Sequence, residues 1–69
     1  MSFTHGPGNR IYGVTFVQLY RFLPGTAQRE VVWRTALDNN AEHIRTPGPI
    51  LGHTFYFGRR HRLMAMDLP

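Results

Sequence analysis

Sixty-nine residues with eight arginines, no lysine and four acidic side chains carry a formal charge of +4. A chain of this length closes one small domain at most and buries roughly 60% of its unfolded surface, so its stability is marginal without help. The absence of cysteine excludes a disulfide framework and the thiolate zinc modules, leaving an efficient core or a partner as the source of that help.

Residues 1–9 read as an extended arm, because Gly6, Pro7 and Gly8 deny the backbone a regular path and Phe3 is its one aromatic. The opening lacks the basic start and apolar run of a secretory signal and the amphipathic pattern of a transit helix. No stretch of ~18 apolar residues marks a membrane span. A soluble or peripheral, non-secreted protein of the cytoplasm or an organelle interior is expected.

In 10–23, "RIYGVTFVQLYRFL", two periods compete. Tyr12, Val14, Phe16, Tyr20 and Phe22 share a face at strand spacing, and Tyr12, Phe16, Leu19 and Leu23 form a stripe at helical spacing. The crowding of Ile, Val, Thr, Tyr and Phe, with Gly13 among them, favours one strand. "LPGT" at 23–26 is a turn whose Thr26 can cap a following helix.

Residues 27–45 predict that helix. Trp33, Ala36, Leu37, Ala41 and Ile44 fall on one face, Glu30 and Arg34 stand four apart, and His43 and Arg45 suit the negative end of the dipole. "TPGP" at 46–49 ends it. Residues 50–58, "ILGHTFYFG", alternate as a second strand, with His53, Phe55 and Phe57 on one side and Thr54 and Tyr56 on the other. Residues 59–69 are a basic run followed by the apolar Leu63, Met64 and Met66.

The expected fold is therefore α+β: a strand–helix–strand unit at 10–58, an extended N-terminal arm and a basic C-terminal segment. One helix cannot cover both faces of a two-stranded sheet. Aromatic surface then exceeds what Trp33, Leu37 and Ile44 can hide, which predicts completion by a partner.

The stretch "FYFGRRHR" at 55–62 allows two readings. Aromatics beside arginines stack bases and neutralise phosphates in single-strand binders, which would make RNA or DNA the partner. Alternatively, Phe55 and Phe57 are core and Arg59, Arg60, His61 and Arg62 form a solvated end. The tripeptide Leu19-Tyr20-Arg21 matches the signature of the LYR-motif family of mitochondrial assembly proteins, whose members are helix bundles. Leu23-Pro24-Gly25 would end such a helix at once, and the match is set aside.

Four histidines lack the i,i+3 or i,i+4 spacing of a helical metal site, so no metal or cofactor is expected. Ser2 is the single serine, and no glycine-rich loop lies between a strand and a helix, so an enzyme is not expected.

The function expected from these features is that of a non-catalytic accessory subunit of a large assembly, of the ribosomal or respiratory-complex kind. It would dock through Tyr12, Phe16, Tyr20, Phe55 and Phe57, with Arg59, Arg60 and Arg62 reaching acidic protein, RNA or anionic lipid headgroups. The alternative is a free-standing RNA- or DNA-binding protein using 55–62.

Overall fold

The computed structural model describes residues 2–23 and 25–69. Among these the chain is nearly all β: β1 (Ser2–Gly6), β2 (Arg10–Val14), β3 (Gln18–Phe22), β4 (Arg29–Arg34), β5 (Thr46–Leu51), β6 (Thr54–Arg59) and β7 (Arg62–Asp67). Single 3-10 turns lie at Pro7–Asn9 and Asn40–Glu42. Strands β1 to β4 form one antiparallel sheet and β5 to β7 a second, each strand pairing with its neighbour in sequence.

Local chemistry explains where the strands turn. Between β2 and β3 no glycine or proline is present, but the Thr15 hydroxyl accepts from the backbone N–H groups of Val17 (3.3 Å) and Gln18 (3.0 Å). A threonine side chain thereby substitutes for a turn residue. Strands β5 and β6 are joined by Gly52-His53, with Gly52 at φ 62°. Strands β6 and β7 are joined by Arg60-His61, with Arg60 at φ 53°, a region arginine seldom occupies.

Alternation then sorts the side chains. Tyr12, Val14 and Leu19 of the four-stranded sheet meet Phe55 and Phe57 of the three-stranded sheet, and Ile44 and Leu68 complete the buried cluster. Val32, Trp33, Ile50, Met64 and Met66 pack around it. Removing a side chain such as Leu19 or Phe55 from water contributes about 1.5–3 kcal/mol.

The connection 35–45 ties the sheets together. Thr35 N–H donates to Val17 O and Ile44 N–H to Phe16 O, and Arg45 N–H donates to Gly58 O on β6. His43 is buried in this connection: its Nε2 donates to Leu37 O at 2.9 Å, and its ring meets Phe16 edge-on at 5.2 Å.

The α+β expectation is overturned. The helix expected at 27–45 is absent: 29–34 is a strand, and Ala36, Leu37 and Ala41 lie exposed in the connection. A bulge opposite Leu19 and Tyr20 masks the alternation of this strand, since it inserts Val32 and carries both Val32 and Trp33 toward the core. Thr26 caps no helix. Its hydroxyl donates to Leu23 O and accepts from Gln28 N–H, closing the connection to β4.

Residues 10–23, expected as one strand, form two. In the expected arm, 2–6 pair with β2, and in the expected tail, 62–67 pair with β6. Met1 of the arm and Pro24 of the expected turn lie outside the described residues. The helix is not needed to cover the aromatics, because the two sheets cover each other.

Candidate functional site

The residues expected to meet a partner separate into two groups. Tyr12, Phe55 and Phe57 lie in the inter-sheet core at 2% exposure or less. Tyr20 is equally covered but outside that cluster. Its ring lies over Gly13, edge-on to Phe22 at 5.6 Å and beneath the Arg29 guanidinium at 4.8 Å. Phe16 is half exposed at the β2–β3 turn. Arg60 and Arg62 are exposed, and Arg59 is largely covered.

The first candidate surface is the face of the four-stranded sheet turned away from the core. Strand parity places Phe3, Ile11, Tyr20, Phe22, Arg29 and Val31 there. Phe3 remains 61% exposed and Ile11 53%. Phe3 approaches Phe22 at 6.2 Å. Phe3, Ile11, Phe22 and Leu23 line an open groove of about 710 Å³ that also includes Arg10 and Thr26.

Along one edge of the sandwich, Arg21 gathers three acceptors. The Glu30 carboxylate accepts from Nε, Nη1 donates to Pro69 O at 3.3 Å, and the Tyr12 hydroxyl faces the guanidinium. The Tyr12 bond first, and then Glu30, hold the guanidinium pKa above the ordinary arginine value, because both bonds favour the charged form.

The second candidate surface is the basic end built by the β6–β7 turn. Arg59 Nη2 stands 3.6 Å from Glu42 Oε2, and its guanidinium lies 5.5 Å from the Phe57 ring centre. Among the described residues Arg60 and Arg62 have no ion-pair partner. Beside them, on the outer face of the three-stranded sheet, Tyr56 points away from the core between inward-facing Phe55 and Phe57. An open groove of about 400 Å³ runs past it, lined by Gly48, Pro49, Gly58, Arg60, Arg62 and Leu63 among others.

Glycine shapes this groove. A Cβ at Gly48 would collide with the Tyr56 carbonyl oxygen, so the bulged Gly48-Pro49 segment lies directly against β6. Tyr56 was readable from the sequence, since simple alternation puts it opposite Phe55 and Phe57. The outer-face set of Phe3, Ile11, Phe22 and Val31 was not, because it requires the register of four strands.

No group of three His, Asp or Glu side chains among the described residues could hold a metal ion. No helix among the described residues is long and apolar enough to cross a membrane. Comparison with protein-family models, curated proteins and solved structures returned no match.

Proposed function

We propose that this protein is a non-catalytic accessory subunit of a larger protein assembly, docked through the outer face of its four-stranded sheet. The observation that carries this reading is apolar surface left over after the core has closed. Phe3, Ile11 and Val31 remain exposed around Phe22 on one continuous face. Surface leucines or phenylalanines scattered singly need no explanation, whereas a grouped set on one sheet face marks an interaction site.

The occupant is a protein surface with an acidic rim, because Arg29 stands on this face and Arg10 lines one end of its groove, while Glu30 is engaged by Arg21. Apolar contact supplies the affinity and the rim charges supply orientation and encounter rate.

The test is purification of the tagged chain from its native source under mild conditions, beside the double variant Phe3→Ser/Ile11→Ser. A stoichiometric complex with the wild type that is lost from an equally folded variant supports the reading. A variant that stays in the complex, a wild type recovered free, or a discrete mass of twice the chain overturns it.

A further inference from the structure

We infer that the groove beside Tyr56 and the β6–β7 turn is a binding site for single-stranded nucleic acid, separate from the docking face and independent of that reading. Two side-chain classes meet there. Tyr56 offers an outward aromatic face on a strand whose other rings are buried, and Leu63 and Pro49 continue the apolar wall. At one end stand Arg60, His61 and Arg62, with no acid lining the groove.

That order matches what a single strand presents. A base has a π-face that stacks on an aromatic ring whatever its identity, and the phosphate next to it accepts paired hydrogen bonds from a guanidinium. The groove volume of about 400 Å³ suits a small planar group, at the lower end of the range for ligand pockets. Gly48 and Gly58 are among its lining residues and bring no side chain to it.

The backbone supplies an independent observation. Arg60 sits at φ 53° at the tip of a two-residue turn, where glycine or asparagine would be comfortable. The turn therefore holds a long cation in a conformation that its own backbone disfavours, and strain of this kind gathers at functional sites. Phe55 and Phe57, which flank Tyr56 in sequence, offer no stacking face because their rings are buried in the core. Duplex is excluded as the main ligand, since its bases are not free to stack on Tyr56.

The experiment is fluorescence anisotropy with labelled oligouridylate and oligothymidylate of about 12 nucleotides, over a series of salt concentrations. Log affinity is expected to fall linearly with log salt. Arg60→Gln/Arg62→Gln should flatten that slope by roughly 1.4, from about 0.7 per lost phosphate contact on a single strand. Tyr56→Ala should weaken binding about 5- to 100-fold with the slope unchanged, and Tyr56→Phe should bind like the wild type.

Ile11→Ser, on the opposite sheet, should leave the affinity intact, so that failure of this site and failure of the docking face are distinguishable. A slope unmoved by the arginine changes, full binding by Tyr56→Ala, duplex bound as tightly as single strand, or a wild type that binds neither oligonucleotide overturns the proposal. Should Tyr56→Ala fail to fold, photocrosslinking of an iodouracil oligonucleotide to the native chain replaces it. Attachment at Tyr56 supports the site, and attachment confined elsewhere overturns it.

Discussion

The ring of Tyr20 lies directly over Gly13, its partner on the adjacent strand, and occupies the space where a side chain at 13 would begin. An aromatic ring folded across a glycine in this way covers exposed backbone and pins strand register. On the core side of the same sheet the Tyr12 ring covers Gly6, its diagonal neighbour on β1.

Gly13→Ala is therefore expected to destabilise although alanine suits a strand better than glycine does. Displacing the Tyr20 ring should cost about 1–3 kcal/mol, the usual range for overpacking. In a domain of this size that lowers Tm by roughly 4–8 °C per kcal/mol, readable by thermal unfolding. Restoration of stability by Gly13→Ala/Tyr20→Leu would identify the ring as the cause, and equal melting of wild type and Gly13→Ala would disprove the clash.

Arg21 makes a pH prediction. Its pKa is raised in the folded state, so its stabilisation is fully present below the ordinary arginine value and is lost only as pH rises through the higher folded one. The difference in stability between wild type and Arg21→Met should stay flat from about pH 6 to pH 9 as far as Arg21's own titration is concerned. Its size is expected near 0.5–1.5 kcal/mol, about the net worth of one ordinary hydrogen bond, shared between the Tyr12 and Pro69 contacts. The Glu30 share is small, since that carboxylate is half exposed and screened. Urea unfolding at several pH values measures both.

His43 locks the 35–45 connection by bonding Leu37 O and packing on Phe16. His43→Ala should loosen this connection before it unfolds the sheets. Protease cleavage near Leu37 and faster amide exchange of Ile44 and Arg45 are the expected signs, at a cost of about 1–2 kcal/mol. Uniform exchange across all seven strands would contradict a local role.

At the β6–β7 turn, Arg60→Gly should raise stability by up to about 1 kcal/mol, because glycine occupies positive φ without a Cβ penalty. Thermal unfolding should show a higher Tm for Arg60→Gly than for Arg60→Gln. If the two melt alike, the left-handed backbone at 60 is no burden.

Some of this architecture was legible in the residues. The β-branched and aromatic composition of 10–23 and the alternation of 54–57 point to extended chain, and the buried reading of Phe55 and Phe57 was among those the sequence allowed. The division of 10–23 was hidden because Thr15, rather than Gly or Pro, makes the turn. The strand at 29–34 was hidden for a physical reason too. The bulge in β4 breaks the period of two, and Glu30, which looks paired with Arg34 along a helix, instead crosses to Arg21 on the next strand. The candidate surfaces depend on register, which no single stretch encodes.

Every ladder in this molecule joins segments adjacent along the chain, so neither sheet needs a distant strand to assemble. Each half is a meander that zips from its own hairpins, with little loop-closure entropy to overcome. Cutting the backbone near Asp38 would leave all pairing intact, and the pieces before and after that point are expected to find each other in solution and rebuild the sandwich as a two-fragment complex.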